Sequence, residues 1–162
     1  MSYDAPFITD NHTRYLTDES ATLRIGAQLA HVLTPGLVVY LVGDLGAGKT
    51  TLSRGVLRGL GYAGKVKSPT YALVEVYSLF NFDLYHFDLY RFNYALEWEE
   101  SGFGEYCHAH SVCLIEWPEK GAGCLPNADV QIVLQSVHDG RQIHIHALTD
   151  KGKLCLQQRP FE

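Results

Sequence analysis

One octapeptide limits what this chain can fold into more than any other feature. Gly43-Asp44-Leu45-Gly46-Ala47-Gly48-Lys49-Thr50 has the form G-x-x-x-x-G-K-[ST], the phosphate-cradling P-loop. Its glycines allow successive backbone N–H groups to converge on an anion, and a helix that starts at its end adds a positive dipole terminus. Lys49 then brings a point charge to the β- and γ-phosphate oxygens, and the Thr50 hydroxyl suits Mg²⁺. Such a loop works only between a strand and a helix. Leu37 to Val42 is a β-prone run with both faces apolar, as in the middle of a covered sheet. Thr51 to Leu60 places Leu52, Val56 and Leu60 on one helical face, and Gly61 ends it. An earlier helix is predicted from the Thr17 and Asp18 caps to the Thr34-Pro35-Gly36 stop, with Leu23, Ile25, Ala27, Leu29, Ala30 and Leu33 at helical spacing.

Beyond Gly61 the pattern turns to strands. Tyr71 to Tyr77, Leu84 to Phe87 and Val112 to Ile115 are predicted strands, and Leu96 to Glu100 a short acidic helix. Val130 to Ser136 and Gln142 to Leu148 form a hairpin around His138-Asp139-Gly140-Arg141, where Asp-Gly signals the turn. The expected fold is α/β: a P-loop NTPase-like mixed sheet flanked by helices, with an antiparallel C-terminal hairpin at its edge. No repeat or linker divides the 162 residues, so 1–162 reads as a single P-loop ATPase domain. Thirteen Lys and Arg against 18 Asp and Glu give a net charge of −5, which excludes a stand-alone nucleic-acid binder.

Met1 to Asp10 has no basic residue and no apolar stretch, and the run Leu37 to Val42 falls far short of the roughly 20 residues that span a bilayer. A cytoplasmic protein without membrane association is expected. Cys107, Cys113, Cys124 and Cys155 lie 6, 11 and 31 positions apart, fitting neither a C-x-x-C pair nor a disulfide framework. The segment Cys107 to Cys113, with His108 and His110, reads as a polar surface loop beside a buried thiol rather than a zinc site. His144 and His146 share one face of the last strand and read as solvated edge residues.

A P-loop needs a second metal anchor, usually an acid after an apolar strand. Glu116 follows Val112 to Ile115, and Asp88 follows Leu84 to Phe87. Either suits metal binding, directly or through water, or orientation of the attacking water. Thr70, in Lys67-Ser68-Pro69-Thr70, stands where NTPases keep a switch that senses the γ-phosphate. No Asn-Lys-x-Asp tetrad is present to read guanine, and Arg91 is the only arginine between Arg58 and Arg141, too few for a phosphate-clamping lid. Hydrolysis or ATP-driven switching is favoured over phosphoryl transfer, with a small-molecule or nucleoside kinase as the alternative.

Four stretches together resemble the bacterial TsaE (YjeE) family: Gly43 to Thr51, Val66-Lys67-Ser68-Pro69-Thr70-Tyr71, His86-Phe87-Asp88-Leu89-Tyr90-Arg91 and Leu114-Ile115-Glu116-Trp117-Pro118. The resemblance runs from about Thr22 to Arg141. It implies an ATPase of tRNA threonylcarbamoyladenosine biosynthesis, with ATP at Gly46, Ala47, Gly48, Lys49, Thr50 and Thr51, and Mg²⁺ at Thr50 and Glu116. It further implies catalytic roles for Asp88, Lys49 and Thr70, an Arg141 in the hairpin turn close to the nucleotide, and a base flanked by the helix entry at Asp18 and Glu19. The implied partners are a TsaD-like threonylcarbamoyl-transferase subunit and a TsaB-like non-catalytic subunit, serving tRNAs that read ANN codons. Asn93-Tyr94-Ala95-Leu96-Glu97 departs from the family's Asp-Pro-Glu-Glu. No arginine finger is evident in cis, so slow hydrolysis by the isolated chain is expected.

Overall fold

The computed structural model describes residues 11–158, so the reading of Met1 to Asp10 lies outside the described residues. In chain order the elements are β1 (Asn11–Leu16), α1 (Glu19–Ala30), β2 (Val38–Val42), α2 (Lys49–Gly59), β3 (Val74–Ser78), β4 (Asp83–Asp88), α3 (Glu97–Glu100), β5 (Ser111–Glu116), β6 (Val130–Val137), β7 (Gly140–Ala147) and α4 (Asp150–Leu156). All seven strands join one sheet in the order β1-β7-β6-β2-β5-β4-β3. The inner pairs β6/β2, β2/β5 and β5/β4 are parallel, while β1/β7, β7/β6 and β4/β3 are antiparallel. Every residue of β5 is buried, which is why Val112 to Ile115, ahead of Glu116, form an unbroken apolar run. This is the mixed sheet flanked by helices that the P-loop predicts.

Each sheet face has its own core. Toward α1 and α2, Leu41, Leu84 and Val112 pack against Leu29, Leu52 and Leu57. The opposite face is aromatic: Phe87 lies 4.9 Å from the Trp98 ring and 5.3 Å from the Phe103 ring, centroid to centroid. The Asp18 carboxylate caps α1 by accepting from the Ala21 N–H at 2.8 Å. Glycines let α1 and α2 approach backbone to backbone. A Cβ on Gly26 would stand 2.6 Å from the Leu52 carbonyl oxygen, and one on Gly55 would press into the Leu23 carbonyl.

Four elements differ from the sequence reading. β1 is an additional strand that pairs along the whole of β7, so β7 is internal and the C-terminal hairpin is not the edge of the sheet. His144 and His146 are accordingly half-buried rather than solvated edge residues, with His144 Nδ1 2.9 Å from the Thr13 hydroxyl. The third strand begins at Val74, not Tyr71, because Leu73 is left-handed (φ 71°) and its N–H closes a turn onto the Pro69 carbonyl at 2.7 Å. The hairpin turns at His138-Asp139, with His138 at φ 50°, which moves Arg141 out of the turn and into β7. Finally α4 follows the hairpin, capped by the Thr149 hydroxyl, which accepts from the Gly152 N–H at 3.0 Å.

The glycine contact between α1 and α2 makes a direct prediction. Gly55→Ala should lower stability by about 1–3 kcal/mol despite the better helix propensity of alanine. Thermal denaturation followed by circular dichroism measures it, at roughly 2–4 °C per kcal/mol for a chain of this size.

Candidate active site

Parallel register sorts residues by face. Leu84, His86 and Asp88 of β4 stand opposite Val112, Leu114 and Glu116 of β5, all directed to the side covered by α1 and α2. The row is apolar where the strands begin and polar at their carboxyl ends, next to the loop that leaves β2. In open α/β sheets that is the end at which ligands bind.

The loop Gly43 to Gly48 reaches α2 through two left-handed glycines, Gly46 (φ 79°) and Gly48 (φ 103°), the second of which caps the helix. Arg141 reaches across from β7 to hold it. Its Nε donates to the Ala47 carbonyl at 2.6 Å and its Nη2 to the Gly46 carbonyl at 3.2 Å. A Cβ on Gly48 would lie 2.8 Å from Arg141 Cδ, so a side chain here would displace Arg141 from the loop, and the left-handed φ disfavours one in any case. Lys49, only 7% exposed, donates to the Gly43 carbonyl, lies 3.9 Å from Glu116 Oε1, and sits 4.2 Å from the centre of the Trp117 ring. Burial lowers the Lys49 pKa, against the opposing pull of Glu116, Asp88, Glu119 and Asp44.

Asp88 and Glu116 are both buried. Asp88 accepts from the Tyr90 N–H at 2.9 Å and from the Thr70 hydroxyl at 3.2 Å, and Thr70 in turn contacts the Ser68 hydroxyl at 2.8 Å. Its pKa is raised, first by burial; the Tyr90 N–H opposes, the Glu116 charge adds, and Thr70 and His86 oppose. Glu116 Oε2 lies 2.6 Å from His86 Nε2.

A single cleft is lined by Gly46, Gly48, Lys49, Thr50, Thr51, Thr70, Asp88, Glu116 and Arg141, together with Leu45, Ser68 and Trp117. Most of the residues singled out in the sequence therefore meet. Ala47 is buried beneath the loop and takes part through its carbonyl. Glu19 stands outside the lining, at the start of α1, where it accepts from the Thr51 hydroxyl at 3.5 Å and pairs with Arg54 at 4.0 Å. The sequence reading assigned no role to Trp117 or His86. Trp117 owes its place to a left-handed backbone (φ 57°), for which its side chain gives no signal. His86 was detectable, because strand alternation puts it on the same face as Asp88. Thr50 and Glu116 are hard oxygen donors and fit Mg²⁺. Among the described residues no group of three or more His, Cys, Asp and Glu converges to hold a metal ion.

A glycine loop joining an inner parallel strand to a helix, with acids at the neighbouring strand ends, defines a P-loop-like α/β domain. A family model described as "Threonylcarbamoyl adenosine biosynthesis protein TsaE" matches residues 16–143. The chain is 48% identical over 151 residues to the tRNA threonylcarbamoyladenosine biosynthesis protein TsaE of Haemophilus influenzae, covering 87% of this chain and 92% of that one. Identity to the Bacillus subtilis protein of the same name is 37% over 143 residues, covering 85% and 86%. The crystal structure of Bacillus subtilis YdiB superposes with a TM-score of 0.75 at 32% identity over 90% of both chains. The chain belongs to the TsaE family, whose role lies in tRNA threonylcarbamoyladenosine biosynthesis.

The raised pKa of Asp88 predicts a pH-dependent stability difference. A carboxyl whose folded pKa is raised loses stability as pH rises through that pKa. Asp88→Asn should therefore be more stable than the wild type at neutral pH, and the difference should shrink as pH falls from the raised value to the ordinary aspartate range and be gone below it. Urea denaturation of both proteins between acid and neutral pH measures it.

Proposed function

We propose that the chain is an Mg²⁺-dependent ATPase that acts on the threonylcarbamoyl-transferase complex rather than on tRNA directly. One observation carries the reading: Lys49, at the end of a loop with left-handed glycines, shares its cleft with Thr70, Asp88 and Glu116. The N–H groups of Gly46 and Gly48 and the α2 N-terminus would hold phosphate, with Ala47 supporting the loop through its carbonyl, Lys49 would pair with the β/γ oxygens, and Thr51 would complete the rim. Thr50 and Glu116 would hold Mg²⁺, which supplies charge neutralisation on the phosphates when bound. Asp88, kept basic by burial, suits the task of orienting and accepting a hydrogen bond from the attacking water, and Thr70 ties the switch segment to it. Arg141 keeps the loop in shape by holding its carbonyls; Glu19 is the candidate for flanking the base.

The family role supports placing the activity in the modification of tRNAs that read ANN codons, in the cytoplasm, with TsaD-like and TsaB-like partners. A net charge of −5 fits a subunit whose partners hold the tRNA. Arg141 lines the cleft but its guanidinium is engaged on the Ala47 and Gly46 carbonyls rather than free as a finger, which supports slow basal hydrolysis.

Lys49→Ala should reduce ATP turnover by at least about 10²–10³-fold, measured as phosphate release. Asp88→Ala should keep ATP binding and lose turnover. The kinase alternative is separated by following γ-phosphate label, which goes to inorganic phosphate in an ATPase and to a metabolite in a kinase.

A further inference from the structure

His86 is fully buried, at 0% exposure, on a face of β4 where its strand neighbour Leu84 and its cross-strand partner Leu114 are aliphatic. Its Nε2 lies 2.6 Å from Glu116 Oε2, while its Nδ1 has no hydrogen-bond partner among the described residues. A leucine at this position would remove the orphaned Nδ1 but leave the buried Glu116 Oε2 without its partner, so the imidazole serves the carboxylate and not packing alone. What the ring does provide is one nitrogen, Nε2, facing one oxygen of one carboxylate. The Glu116 side chain ends in a torsion that is broad and two-fold, so an unrestrained carboxylate exchanges its oxygens freely. Here the two oxygens have different neighbours: Oε2 faces His86, and Oε1 faces the Lys49 ammonium at 3.9 Å.

We propose that His86 is the positioning residue of Glu116: its Nε2–H fixes Oε2 and thereby presents Oε1 to the cleft shared with Lys49 and Thr50. The pair sits diagonally across adjacent parallel strands, so its geometry is set by sheet register and not by a loop. A partner behind a ligating carboxylate orients the ligand and tunes its affinity for metal, and loss of such a partner typically weakens metal binding or activity about 10–100-fold. The functional half of this proposal rests on reading the cleft as the Mg²⁺–ATP site; the hydrogen bond itself does not.

The test uses the full chain with His86→Leu, His86→Asn and His86→Gln. Glutamine carries an amide N–H about where the imidazole Nε2–H stands, whereas asparagine is too short to reach and leucine has no donor. Nitrogen-15 NMR of the nucleotide-free wild type should find the ring proton on Nε2 with Nδ1 bare. Calorimetric titration with a non-hydrolysable ATP analogue should show the half-saturating Mg²⁺ concentration raised about tenfold or more in the Leu and Asn variants, and within about threefold of wild type in the Gln variant. A proton on Nδ1, an unchanged Mg²⁺ requirement in folded Leu or Asn variants, or a Gln variant no better than Asn would each overturn the proposal. If the Leu variant does not fold, the Gln and Asn pair decides. A wild type that binds no analogue at any Mg²⁺ concentration would overturn the ATPase reading instead, and the ring-proton measurement would still decide the hydrogen bond.

Discussion

The register between β4 and β5 determines where the charged groups of the cleft stand. Because side chains alternate along a strand, a one-residue slip of β4 against β5 would carry Asp88 to the aromatic face and bring Phe87 to the helix side, parting Asp88 from Glu116. Two independent cores hold the register: aliphatic side chains against the helices on one face, and the Phe87, Trp98 and Phe103 cluster on the other. The opposed pairs Leu84 with Val112 and Phe87 with Ile115 leave little choice of alignment, and the acids arrive together as a result.

Lys49 shows why the acids must arrive together. An ammonium that is 7% exposed is disfavoured by burial, and its surroundings answer with a carbonyl, the Glu116 carboxylate and the face of Trp117. Glu116 is in turn shared with His86, and Asp88 with Thr70 and Tyr90. Elements far apart in the chain meet here: α2 supplies the cation, β4 and β5 the anions, and β7 the arginine that shapes the loop. No single segment contains the site.

What the sequence made legible is what local chemistry determines. The P-loop, the buried run before it and the helix after it declare themselves through glycine spacing and apolar periodicity, and Glu116 and Asp88 through their place at strand ends. β1 was hidden because Asn11-His12-Thr13-Arg14-Tyr15-Leu16 has only one buried residue, and its strand character comes from pairing with β7. The late start of β3 depends on a left-handed leucine, a conformation no leucine advertises. Asp-Gly at the hairpin pointed to a turn one residue too late, and with it Arg141 was placed in the turn when it lies in β7. His86 was within reach of strand alternation, which puts it on the face of Asp88, but its tie to Glu116 shows only once the β4/β5 register is known.

The close approach of α1 and α2 has a mechanical side. Side chains between helices normally act as a compliant layer, bending from one rotamer to another when a helix moves. At Gly26 and Gly55 that layer is missing, and carbonyl oxygens of one helix rest on the backbone of the other. The two helices therefore pack as one stiff unit. Both helices start at the same end, where Glu19 of α1 stands beside Thr51, two residues from Lys49, so the start of α1 bears directly on the end of the loop.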